Sequence, residues 1–216
     1  MTDALAYYGA ALRRAATGSH ADLRLIDPAG RRPAIRLSPT EWCGSLRPGD
    51  AQLLARCHGA TLDVGCGPGR LTAALASRWI PALGIDISSE AVRQARQRGA
   101  DAELACILTS DLAPQSWQHL LLIDGNIGIG GDPSRLLGRC RDLLRPDGDI
   151  FVEVDPPGAT SWAGSVNLGY RGGVSSPFEW AVVAADDLGA LAADVAMAVF
   201  EMWPAADRWF ARLGLA

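Results

Sequence analysis

The sequence predicts an α/β protein built on a mostly parallel sheet, closed at its C-terminal end by an antiparallel hairpin and covered at its N-terminal end by a short cap. Three observations carry this. Apolar strand-like segments alternate with helical patterns from residue 60 to about 154, a glycine-rich turn TLDVGCGPGR (61–70) follows the first of these strands, and the two last apolar segments are too close in sequence to run parallel.

DALAYYGAALRRAA (3–16) repeats apolar side chains at helical spacing after Asp3, a capping residue. DLRLIDPAGRRPAIRLSP (22–39) alternates apolar and polar residues on both sides of Asp27-Pro28-Ala29-Gly30, the pattern of a small hairpin. Residues 1–45 therefore read as a cap, and 46–216 as the main domain. Strands are expected at 60–64 (ATLDV), 80–87 (IPALGIDI), 102–108 (AELACIL), 119–124 (HLLLID) and 149–154 (DIFVEV). Helices are expected at 70–78, 89–98 and 133–144, the last stopped by Arg145-Pro146-Asp147-Gly148. A glycine-rich connection (156–177) and a helix at 186–193 lead to AMAVFEMW (196–203) and DRWFARL (207–213), which pair as a hairpin across Pro204-Ala205-Ala206.

Composition narrows the function. With 49% hydrophobic and 20% charged residues the chain has the make-up of a globular protein. All 20 basic residues are arginine, so Schiff-base, P-loop and general-base lysine chemistry is excluded. The net charge is −4 and no basic face is interleaved with aromatics, which argues against nucleic acid as a partner. The 5 cysteines form no C-x-x-C pair, so neither a disulfide framework nor a zinc site is indicated, and a cytoplasmic setting is expected. No apolar run approaches the roughly 18 residues of a membrane span, and no signal segment is visible.

The glycine turn sets the ligand class. Its glycines fall at 65, 67 and 69, and Arg70 stands where a dinucleotide fingerprint starting at Gly65 needs its third glycine. Asp63 at the tip of the first strand would repel a pyrophosphate and attract an ammonium or sulfonium group. Asp86, at the end of the second strand, is suited to accept hydrogen bonds from both hydroxyls of a ribose. The expected ligand carries an adenosine-like ribose and a positive, phosphate-free tail.

These segments resemble the motifs of class I S-adenosylmethionine-dependent methyltransferases. TLDVGCGPGR is similar to the first motif, GIDIS (84–88) to the second, LLIDGNIGIGGDP (121–133) to the segment after the fourth strand, and LLRPDGDIFVEV (143–154) to the stretch entering the fifth. The resemblance covers residues 46–216 and implies a Rossmann-like seven-stranded sheet, S-adenosylmethionine as cofactor and a small-molecule acceptor. Carried over by position, it implies that Asp63, Gly65, Cys66, Gly67 and Gly69 surround the methionine portion. Asp86 and Ile87 would meet the ribose, Cys106 and Ile107 the adenine, and Asp124, Gly125 and Asn126 the cofactor beyond the fourth strand. Cys106 departs from the family, which ordinarily has an aspartate there.

Catalytic candidates are few: His20 in the cap, Asp124, and Glu153 at the end of the fifth strand. Asp124 and Asn126 equally suit a turn-forming D-G-N sequence, and Glu153 and Asp155 equally suit a solvated sheet rim. His58 and His119 belong to the opposite, amino end of the strands. Trp42, Asp155, Trp162, Tyr170 and Trp180, together with Phe178, are candidate acceptor contacts, with core packing as the alternative for each aromatic. The expected reaction is methyl transfer to a small, aromatic or biosynthetic acceptor. The rival readings are a non-catalytic S-adenosylmethionine-binding module and, against Asp63 and Arg70, a nicotinamide-dependent oxidoreductase.

Overall fold

The computed structural model describes residues 3–30, 32 and 34–216. Helix α1 (Ala4–Ala16) starts where Asp3 accepts a hydrogen bond from the Leu5 amide and ends on Arg13 and Arg14, whose charges complement the helix dipole. Strands β1 (Leu23–Ile26) and β2 (Ile35–Leu37) form the expected hairpin, and two short helices, α2 (Pro39–Cys43) and α3 (Asp50–Leu54), lead into the main sheet.

The main sheet alternates β3 (Thr61–Val64), α4 (Arg70–Ala76), β4 (Ala82–Asp86), α5 (Ser89–Gln97), β5 (Ala102–Leu104), β6 (Trp117–Leu122), α6 (Pro133–Leu143) and β7 (Leu144–Val154). β5 is shorter than the expected 102–108. Beyond Leu104 the chain turns, with the amides of Thr109 and Ser110 bonding the Cys106 carbonyl and the Ser110 hydroxyl accepting from the Cys106 amide at 3.0 Å. Strand β8 (Trp162–Tyr170), β9 (Gly173–Val174) and β10 (Phe178–Val182) follow, then α7 (Leu188–Ala193), β11 (Met197–Ala205) and β12 (Arg208–Leu215). Pro204 and Ala205 lie inside β11 rather than in the turn, because β11 is the sheet edge, where proline's missing N–H costs no ladder bond.

Among the described residues the main sheet has seven strands in the order β11-β12-β7-β6-β3-β4-β5, with β12 antiparallel to β7 and β11, and the others parallel. β3 is flanked by β4 and β6, so chain direction across the sheet reverses there, and the crevice at the carboxyl ends of β3 and β6 is the place for a ligand. Apolar layers fill both faces, one around Leu120, Leu122, Ile150 and Val152, the other around Leu121, Phe151, Trp203 and Phe210.

The region read as a glycine-rich connection is largely strand. β8 pairs antiparallel with β1 and with β10, so β10-β8-β1-β2 make a second sheet with β9 alongside β8. One face of this sheet packs on α1 through Ala11, Ala15, Leu23, Val166 and Tyr170, and it closes over the carboxyl end of the main sheet.

Candidate functional site

A cavity of about 550 Å³ runs from the glycine turn to the underside of the second sheet, within the range of roughly 300–1,000 Å³ common for small-molecule sites. Gly65 has φ +70°, and a Cβ there would lie 2.7 Å from the Asn126 side chain, so the bare backbone is required by both conformation and space. Asn126 in turn donates from Nδ2 to the carbonyls of Val64 (2.8 Å) and Gly65 (3.0 Å), tying the glycine turn to the loop after β6.

Asp63 is buried beneath this turn and accepts from Thr72 Oγ1 at 2.6 Å; burial pushes its carboxyl up to about 7. Asp86 is also buried, which raises its pKa against the bonds that it accepts from the amides of Gly67 (3.0 Å) and Ser88 (2.8 Å). Two buried carboxylates bordering one cavity suit a ligand that brings a positive charge and hydroxyl donors.

Of the positions singled out from the sequence, Asp63, Gly65, Cys66, Gly67, Asp86, Ile87, Cys106, Ile107, Asp124 and Asn126 line the cavity. Gly69 and Gly125 do not. Gly69 (φ +77°) faces α5, where a Cβ would meet Ala95 at 2.7 Å, so it serves helix packing, and Gly125 is a left-handed turn residue opening on no neighbour. Trp42, Phe178 and Trp180 line the far end; Trp162 does not, because its ring lies under the Arg32 guanidinium, and Tyr170 is packed against Tyr7.

Of the catalytic candidates Asp124 alone lines the cavity, and the acceptor candidate Asp155 does not. His20 is exposed outside the cavity, with Nε2 2.7 Å from Arg36. Glu153 lies behind the site, held by Arg208 at 2.7 and 2.9 Å and accepting from the Asp124 amide. Asp155 forms a backbone bridge to Ala184 outside the cavity. Asp124 lines the cavity, but its carboxylate is engaged by Arg47 at 2.7 Å, by Arg70, and by Arg208 at 3.5 Å. His58 and His119 sit together near Asp149, at the amino end of the strands.

Sequence reasoning missed Tyr8, whose hydroxyl approaches the glycine turn to 3.4 Å from a Cβ built on Gly67, and whose pKa is raised by burial and by Asp86. It also missed the ion network of Arg47, Arg70 and Arg208 with Asp50, Asp124 and Glu153. Arg70, Asp124 and Glu153 lie in segments that the sequence singles out, but nothing local signals their pairing, and Arg47, Asp50 and Arg208 look like ordinary solvated charges.

A glycine turn at the switch point of a parallel sheet, with a carboxylate at the end of each of β3 and β4, places a ligand crevice in an α/β domain. Residues 61–148 match the family model described as a methyltransferase domain. A ubiquinone biosynthesis O-methyltransferase from Idiomarina loihiensis is 30% identical over 108 residues, 47% of this chain and 44% of that protein. A trans-aconitate 2-methyltransferase from Mycobacterium tuberculosis is 35% identical over 95 residues, 43% of this chain and 36% of that protein. The chain thus spans less than half the length of these relatives. A Bacteroides fragilis SAM-dependent methyltransferase, solved with S-adenosyl-L-homocysteine, shares the fold over 100% of this chain and 97% of its own, at TM-score 0.80 and 24% identity. Residues 61–148 are thus similar to a methyltransferase domain, and the whole chain has the fold of an S-adenosylmethionine-dependent methyltransferase. Among the described residues no helix is long and apolar enough to cross a membrane.

Proposed function

We propose that this protein transfers the methyl group of S-adenosylmethionine to a small-molecule acceptor held under the second sheet. The observation that carries this is the single cavity joining the glycine turn and Asp86 to the apolar side chains of the cap. The residues suit the cofactor: bare backbone at Gly65 and Gly67 for close approach, Asp63 for the amino group, Asp86 and Ile87 for the ribose, and Cys106 and Ile107 beside the adenine. Relatives named for ubiquinone biosynthesis and for trans-aconitate both support a small-molecule acceptor.

When bound, S-adenosylmethionine supplies a methyl carbon on a sulfonium, and its C–S bond breaks to leave a neutral thioether that needs no proton. The chain's contribution is exclusion of water by the cap and alignment of the acceptor atom, which in well-oriented reactions supplies much of the acceleration. No histidine lines the cavity among the described residues, and Asp124 is committed to arginines. The acceptor therefore loses its proton late or arrives already nucleophilic.

The test is calorimetry with S-adenosylmethionine, S-adenosylhomocysteine and NAD, followed by a turnover assay. Preference for NAD would favour the oxidoreductase reading, and tight cofactor binding without turnover the non-catalytic one. Asp86→Ala is expected to weaken cofactor binding on the order of 10- to 150-fold, the worth of a charge-assisted hydrogen bond. Because alanine also strips the acceptor from the Gly67 and Ser88 amides, Asp86→Asn is the milder control, and unchanged affinity in both would remove Asp86 from the site. His20→Ala should leave turnover nearly unchanged, far from the roughly 100-fold loss that marks a general base. A large loss with folding and cofactor affinity intact would restore a cap histidine to the chemistry.

A further inference from the structure

We propose that the second sheet forms an acceptor subsite for an uncharged, flat ring compound and rejects anions; this rests on the methyltransferase reading of the same cavity. The sorting is done by strand alternation. Leu23 pairs with Leu37, Arg24 with Arg36 and Leu25 with Ile35, so leucines and arginines of the hairpin occupy opposite faces. The leucine face lines the cavity, and the arginine face is turned to solvent, where Arg24 pairs with Asp22 and Arg36 meets His20. Across the strand pairings Leu168 lies opposite Leu25, and Phe178 and Trp180 alternate with Glu179 along β10, where the exposed Glu179 also borders the cavity. The cavity side of the sheet is thus Leu23, Leu25, Leu37, Leu168, Phe178 and Trp180, without a cation.

Among the described residues Arg70 is the cation that lines the cavity, and it is already bonded to Asp50 and Asp124. The remaining charges along the wall are carboxylates: Asp124, engaged by arginines, buried Asp63 and Asp86, and exposed Asp3 and Glu179. An anionic acceptor would lose its hydration against apolar walls and find repulsion where it needs a partner. A cationic one would meet no buried carboxylate in the cap half and would stand beside the sulfonium. A neutral ring loses little on leaving water and gains from two edge-to-face aromatic pairs that border the space, Tyr8 with Trp42 (6.0 Å, 72°) and Phe178 with Trp180 (6.2 Å, 77°).

The experiment titrates the full chain, with and without S-adenosylhomocysteine, with three naphthalene probes of one ring size: 2-naphthol, 2-naphthoate and 2-naphthylmethylammonium. Calorimetry is expected to give 2-naphthol an affinity at least about 10-fold above either ion, a tenfold preference being about 1.4 kcal/mol. Trp180→Ala should weaken 2-naphthol about 10-fold, and Leu37→Arg, on the half-buried edge strand, should reverse the order in favour of 2-naphthoate. Retained S-adenosylhomocysteine affinity in both variants reports that the fold is intact. Equal or tighter binding of either ion to the unaltered chain, or no binding of 2-naphthol, overturns the subsite. Failure of S-adenosylhomocysteine to bind at all overturns the cofactor reading instead, and the probe order measured on the free chain still decides the subsite.

Discussion

Arg208→Met should lower the unfolding free energy by about 3–5 kcal/mol, the cost of removing one partner from a buried ion cluster. Arg208 is 4% exposed, opens β12, and donates to both Glu153 oxygens, to Asp50 at 2.7 Å and to the Pro48 carbonyl at 3.2 Å. Asp50 is fully buried, so its charge has no access to water once the guanidinium is gone. The damage should reach the site as well, because Glu153 holds the Asp124 amide and Asp50 holds Arg70. For a chain of this length each kcal/mol moves Tm by roughly 2–4 °C, so thermal denaturation should show a drop of roughly 6–20 °C. Cofactor affinity, measured below the new Tm, should fall too, and Arg208→Lys should recover part of both losses. A Tm shift under about 2 °C would mean that the cluster is relaxed or hydrated, and that Arg208 does not organise it.

Asp63→Asn should act in opposite directions on stability and binding. Burial raises the Asp63 carboxyl to about 7, whereas in the unfolded chain it titrates near about 3.9. Between these values the folded state binds more protons than the unfolded state, so stability falls as pH rises through this window. Below the unfolded value both states are protonated and the burial carries no electrostatic cost; above the folded value the full cost is present. Asparagine avoids that cost and still accepts from the Thr72 hydroxyl, so at pH 8 the variant should be more stable by on the order of 2–4 kcal/mol, or roughly 4–16 °C in Tm. The gain should fade to nothing near pH 4. Under the proposed function, which sets this carboxylate against the cofactor's amino group, S-adenosylmethionine affinity should fall on the order of 10- to 150-fold. A variant that melts at or below the unaltered protein at pH 8, or with the same offset at both pH values, would show that Asp63 is not held at a raised pKa.

The sequence by itself determined the parallel sheet, the glycine turn, the two acidic strand ends and the closing hairpin. Each of these is a local pattern: a short apolar run, a glycine where φ is positive, an aspartate at a strand terminus, two segments too close to pair otherwise. What only the tertiary structure decided is the cover of the site and its charge. β1 and β8 are far apart in the chain, and β8 (WAGSVNLGY) carries glycine, serine and asparagine among its apolar residues, which blurs the period of two that marks a strand. Arg47, Asp50 and Arg208 likewise show no local sign of burial, and their partners come from opposite ends of the chain. Burial and charge compensation are sums over whatever the fold brings together, so neither the apolar underside of the cap nor the commitment of Asp124 and Glu153 to arginines is written in any one segment.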